Sequence, residues 1–309
     1  MMTSHVETRK RARSSPDWII TFDDTMSLRC IVESTAAVMT RVIFKVQKVD
    51  GVYFLMVDGA DVGFMCCVSA RLQIDNVTFV NSECETSEFT FCVDCKQLLY
   101  SIEGPSCSRA SLQIEGHTSD ATIHLVMLDP EQQNIEDRST LSTFINGETP
   151  QSLFPLKFKM ILEVDLTKLR DIIKKARKAH AEFLRIRIFT ITKGVKQHSC
   201  VLFTVVGDTT HDQKFCNEMT QHEDGSFIVR AAVDGPFTDV LEVGDESAFD
   251  GTYPIDKIDA FVKNMHVRML TAKVDTTMPL MLTYDLGTGE SNGDSSYIRF
   301  LVAPKTDDE

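Results

Sequence analysis

The chain has 309 residues, 43% of them hydrophobic and 25% charged, with a formal net charge of −13. That length exceeds one compact unit and suggests two domains of roughly 130–150 residues each. No apolar run approaches the ~18–20 residues that span a bilayer, and the first residues lack the apolar stretch of a secretory signal, so an intracellular protein without a membrane role is expected. Nine cysteines at irregular positions point to reduced thiols, not a disulfide framework. The acidic balance, taken alone, argues against nucleic-acid binding.

Residues 1–16 read as a disordered basic arm, with Arg9, Lys10, Arg11 and Arg13 ahead of Ser14, Ser15 and Pro16; nuclear targeting, a weak DNA contact and plain solubility all fit it. A strand is expected over 18–22. A helix follows over about 24–39, where Leu28, Ile31, Val32 and Thr35 repeat with helical spacing behind an Asp23 or Asp24 cap. Residues 42–46 and 52–57 read as strands around an Asp50-Gly51 turn. Asp58-Gly59 reads as a second turn, leading to a strand over 62–72. A short helix over 93–102 stops at Gly104-Pro105, and 112–115 with 121–128 reads as a hairpin. Residues 129–155 are polar and Pro-punctuated, with an embedded strand near 140–145.

The pattern then restarts. Residues 158–164 read as a strand and 165–180 as a helix with Leu166, Leu169, Ile172, Ile173 and Ala176 on one face. Strands follow over 185–191 and 200–206, and a second short helix over 254–262. The matching order of elements indicates an internal duplication with a period of roughly 140 residues, a domain repeat and not a solenoid. Within it, a strand–helix–strands unit occurs four times. The fold class is therefore α+β, strands with helices gathered on one face. The expected divisions are an N-terminal domain at 17–136, a linker at 137–156, a C-terminal domain at 157–305 and an acidic tail at 306–309.

Catalytic signals are missing. There is no GxSxG, HExxH, Walker A loop or GxGxxG after a strand, and the eight histidines are scattered. No catalytic residue, metal or cofactor is expected, and the protein is not expected to be an enzyme. Cys92 and Cys95 have the spacing of a metal or redox pair but no second pair, and read as structural thiols. Asp58 and Asp61 read as turn residues, not ligands.

One helix stands out. Residues 165–180 carry Lys168, Arg170, Lys174, Lys175, Arg177 and Lys178 off the apolar stripe, against Asp165 and Asp171. A solvated face is the ordinary explanation of a charge run. This helix, however, lacks the alternating Glu–Lys pairs of such a face, and it lies in a strongly acidic chain, so phosphate binding is a real alternative.

The C-terminal segments weigh in its favour. Met278 to Leu286, followed by Ile298 to Glu309 with its Leu301-Val302-Ala303-Pro304-Lys305 and acidic end, resemble the ending of the proliferating-cell nuclear antigen family of DNA sliding clamps. The Val57-to-Val62 segment resembles a turn of that family, and 158–180 the start of its second domain. The resemblance implies a ring of three two-domain subunits with helices lining a hole for duplex DNA and sheets outside, serving as a polymerase processivity factor. It implies double-stranded DNA bound without sequence preference, partner proteins with clamp-binding peptides (a DNA polymerase among them), a clamp loader, and self-association as a homotrimer in the nucleus or a viral replication compartment. The DNA-facing residues would be Arg29, Lys96, Lys168, Arg170, Lys174, Lys175, Arg177, Lys178, Lys257 and Lys263. The partner-peptide pocket would be walled by Val57, Asp61, Leu153, Phe154, Pro279, Leu301, Val302, Ala303 and Pro304, with Asp61 where the family usually has His and Leu301 where it has Tyr. Subunit-joining strands would lie at 139–145 and 213–220. The alternatives are a subunit of a heterotrimeric checkpoint-type clamp and an α+β enzyme.

Overall fold

The computed structural model describes residues 15–60, 66–103, 111–117, 121–128, 135–144, 158–193, 196–218, 220–221, 227–231, 248–263, 265, 267–276, 278–286 and 296–305. The first half runs β1 (Trp18–Phe22), α1 (Thr25–Ala36), β2 (Arg41–Val49), β3 (Val52–Ala60), β4 (Cys66–Gln73), β5 (Asn76–Phe79), β6 (Glu88–Asp94), α2 (Cys95–Ile102), β7 (Ser111–Gly116), β8 (Thr122–Leu128) and β9 (Ile135–Ser142). The second runs β10 (Met160–Asp165), α3 (Leu166–Lys178), β11 (Phe183–Lys193), β12 (Lys196–Val206), β13 (Thr210–Glu218), β14 (Thr220–Gln221), β15 (Phe227–Ala231), β16 (Phe249–Pro254), α4 (Ile255–Val262), β17 (Met269–Val274), β18 (Leu280–Asp285) and β19 (Tyr297–Val302).

Aspartates set the helix starts. Asp24 accepts from the backbone N–H of Met26 and Ser27 at 3.0 and 3.2 Å, and Asp165 from Thr167 and Lys168 at 2.9 and 3.2 Å. Asp94 does the same for Gln97 at 3.0 Å. Each satisfies amide donors that an α-helix leaves without an internal partner. The β2–β3 hairpin turns on Asp50 and Gly51, both at positive φ (51° and 88°), the pair of left-handed residues that a tight hairpin matching the strand twist requires.

The duplication is visible in the sheets. The five-stranded sheet has the order β5-β1-β7-β8-β9, and the second half repeats it as β15-β10-β17-β18-β19. Likewise β4-β3-β2-β6 is repeated as β13-β12-β11-β16. The repeat is not exact: β15 runs parallel to β10 where β5 runs antiparallel to β1, and β14 pairs on beyond β15. One further joint also breaks the symmetry. β19 pairs antiparallel with β4, from Tyr297↔Arg71 to Val302↔Cys66, and fuses strands of both halves into one ten-stranded sheet. The strands equivalent to β19 and β4, namely β9 and β13, each end a sheet with no neighbour among the described residues on one side.

The core lies against one face of that sheet and takes in side chains of the other two, among them Ile20 and Ile114 of the five-stranded sheet and Ile186 and Phe203 of the four-stranded one. In register, Val229, Leu162, Ala272, Leu282, Phe300 and Val68 form a row continuing to Gly59, and the apolar members are at most 3% exposed. The helices cover this face. Leu28 and Ile31 of α1, Leu98 and Ile102 of α2, Leu169, Ile172 and Ile173 of α3, and Ile258 and Phe261 of α4 all join the same buried cluster. The Phe261 ring stacks on Phe300 at 4.7 Å and 15°.

Two sequence expectations are corrected. Asp58-Gly59 is not a turn: β3 continues to Ala60, and Asp58 and Gly59 pair with Ser69 and Val68. A Cβ there would meet the Met39 methyl at 1.7 Å, so any larger residue must displace that flexible side chain. The strand expected at 140–145 covers Ile135–Ser142 instead and pairs with β8, so it belongs to the five-stranded sheet.

Candidate nucleic-acid interface and partner face

All four helices bury one side in the same core cluster, α1 against β2 and β4, α2 against β6 and β9, α3 against β10, β12 and β13, and α4 against β16 and β19. On α3 the five apolar residues read from the sequence are buried, and the intervening positions turn outward. Lys174, Lys175 and Lys178 are exposed there. Lys168 is half-buried beside them; on and just after α4, Lys257 is half-buried and Lys263 exposed. With Asp171 the only acid within α3, this surface has the charge to meet a polyanion.

The arginines of the set are engaged differently, a distinction that sequence could not make. Arg170 donates from Nε and Nη2 to the Val262 carbonyl at 3.1 and 2.7 Å, and from Nη2 to those of Lys263 at 3.1 Å and Met265. It therefore closes the C-terminal end of α4, where carbonyls lack helical partners, which gives this half-buried arginine a structural role. Arg177 pairs with Asp259 of α4 yet remains 65% exposed, so it ties the two helices while adding to the surface. In the first half, Arg29 pairs with Glu33 one turn on at 2.8 Å, which cancels its charge locally. Lys96 is exposed at the start of α2.

The opposite face of the ten-stranded sheet carries the other candidate region. Register places Ile228, Ile161, Lys273, Met281, Leu301, Cys67 and Ala60 in a second row across six strand pairs. Met281 and Leu301 are 7% and 5% exposed. Beside them runs a polar row that includes Thr283, Arg299, Ser69 and Asp58. Burial pushes the Asp58 carboxyl up, opposed by its Ser69 hydrogen bond and by the charges of Lys45 and Arg299. Pro279, Ala303 and Pro304 are half-buried, and the chain after β19 is held to β16 by the Lys305 N–H, which donates to the Thr252 carbonyl at 2.8 Å. Two expected pocket walls are corrected: Val57 and Val302 are 1% and 0% exposed within the helix-side core, because strand alternation turns them away from the face that carries Leu301. Asp61, Leu153 and Phe154 lie outside the described residues.

Neither region holds a catalytic arrangement among its described residues. Cys92 and Cys95 are buried, and burial, then the charge of Asp94, then Cys92 push the Cys95 thiol up to about 12, which leaves it protonated and unreactive at neutral pH. Among the described residues no group of three His, Cys, Asp or Glu is placed to hold a metal, and no helix is long and apolar enough to cross a membrane.

No protein-family model matches the sequence, and no curated protein matches it. Solved structures match along nearly its whole length. A proliferating cellular nuclear antigen from Entamoeba histolytica superposes with a TM-score of 0.67 at 12% identity, covering 94% of this chain and 100% of that one. A PCNA from Thermococcus kodakaraensis gives 0.64 at 15% identity, covering 93% and 100%. A PCNA2–PCNA3 complex from Sulfolobus tokodaii gives 0.62 at 14%, covering 93% and 99%. The fold of this chain is the fold of those proteins.

Proposed function

We propose that this chain is the subunit of a DNA sliding clamp: a ring that encircles duplex DNA, tethers a polymerase and recruits proteins carrying clamp-binding peptides. The observation that carries the reading is a pair of sheet ends. β19 joins β4 within the chain, and their equivalents β9 and β13 each end a sheet. Repeating the internal joint between copies, β9 of one on β13 of the next, removes both edges. Exposed edges are otherwise a liability in a soluble protein, and a head-to-tail contact whose rotation closes makes a ring. Three copies give six repeats. The expected subunit-joining segments overlap these strands.

In such a ring the helix layer faces inward and α3 offers its lysines to the duplex, while the acidity of the chain lies elsewhere. Phosphate contacts without base readout hold the protein on DNA yet permit sliding. The sheet face around Leu301 and Pro304 would take the partner peptide. The role is one of binding, not catalysis, and its place is the nucleus or a viral replication compartment, with a loader to open the ring.

The test is a Lys174→Glu, Lys175→Glu, Lys178→Glu variant. It should lose duplex binding at low salt and clamp-dependent synthesis by the polymerase, with unchanged solution mass. A variant that supports synthesis as the parent does would show that α3 does not face DNA.

A further inference from the structure

The two halves of the helix layer differ in chemistry. α3 and α4 present lysines and no large exposed apolar side chain, whereas the exposed large hydrophobic residues on helices, Met26 and Tyr100, both belong to the first half. Tyr100 is extreme at 85% exposed. It sits one turn after Lys96 on α2, an i, i+4 pair on one helix face, while Cys95, Leu98 and Ile102 hold the other face in the core. Both outward side chains therefore point away from the core that α3 also covers. In α1 the outward cation Arg29 is neutralised by Glu33. The first half thus offers one exposed lysine and one projecting phenol where the second offers a cluster of cations.

We infer that Tyr100 and Lys96 form a second contact to the backbone of duplex DNA, resting on the clamp reading above. The phenol hydroxyl donates to a phosphate oxygen and the ring packs on deoxyribose, as tyrosines do in positioning contacts. Lys96 supplies the counter-charge from the preceding turn. An uncharged donor releases no counterion, so this contact resists salt while the α3 contacts weaken with it. The two halves then divide the work: α3, helped by Lys96, attracts the duplex electrostatically, and the Tyr100 phenol gives a short-range contact independent of ionic strength.

The experiment titrates a fluorescent 30-base-pair duplex with the full chain and its variants across a salt series. Tyr100→Ala should weaken binding several-fold, about equally at every salt concentration, leaving the slope of log K against log salt unchanged. Tyr100→Phe should show a smaller loss, and Lys96→Ala should flatten the slope by about 0.9 for each phosphate no longer neutralised. Duplex affinity unchanged in Tyr100→Ala, while the triple α3 variant loses binding, overturns this inference and leaves the clamp reading standing. An α3 variant that binds like the parent removes the clamp reading itself. A loss for Tyr100→Ala confined to a single-stranded probe would mean base stacking and also overturns the proposal.

Discussion

Arg170→Met separates a structural cation from a DNA-binding one. The side chain reaches three carbonyls at and beyond the end of α4, with donor distances of 2.7 and 3.1 Å to Val262 and 3.1 Å to Lys263. Methionine keeps the stem and deletes the donors. A hydrogen bond to a charged group contributes about 1.5–3 kcal/mol. Several made by one half-buried guanidinium are not additive, so the expected loss is about 3 kcal/mol. With a urea dependence of about 3 kcal/mol per molar for a chain of this size, the unfolding midpoint should fall by roughly 1 M. Because the guanidinium is aimed at carbonyls, duplex affinity of the folded variant should keep the parent's salt slope. Lys174→Ala should do the reverse, with stability within about 0.5 kcal/mol and a flatter slope. An Arg170→Met protein with the parent's midpoint and a flattened salt slope would refute the assignment.

Gly207→Ala should destabilise the fold by about 2 kcal/mol or more in urea unfolding, because the new Cβ would lie 1.9 Å from the Ala179 carbonyl oxygen, a backbone atom that closes α3. Pro304→Glu, at a half-buried position, should abolish binding of a polymerase-tail peptide in titration calorimetry with solution mass and melting unchanged. Leu301→Glu, at a site only 5% exposed, should lower stability as well. Burial raises the Cys30 and Cys95 thiols from 9.0 to about 11 and about 12. Both hold their proton more tightly when folded, so their stabilising contribution is whole below pH 9.0 and is lost as pH rises through 11 to 12. The urea midpoint should therefore drop between pH 8 and pH 11, and replacing both cysteines by Ser should reduce that drop.

Local chemistry makes much of this legible. The stripe Leu166, Leu169, Ile172, Ile173, Ala176 names the buried face of α3 and so the face left for lysines. Asp24, Asp94 and Asp165 mark helix starts, and Asp50-Gly51 marks a hairpin. What sequence misses depends on distant partners. Gly59 looks like a turn residue, but it lies inside β3, paired with Val68 of β4. Family likeness puts Val57 and Val302 in the pocket because it gives neighbourhood along the chain, whereas strand parity decides which side a residue faces. Arg170 cannot be told from its lysine neighbours until α4 ends 92 residues later beside it. Tyr100 carries no sequence signal beyond being aromatic on a short helix. Its exposure is a tertiary fact.

If identical chains close a ring through β9 and β13, the purified chain has the mass of the whole ring in solution. Light scattering coupled to size exclusion should return three times the chain mass, unchanged across a wide dilution range. A chain that remains monomeric at every concentration would rule the ring out.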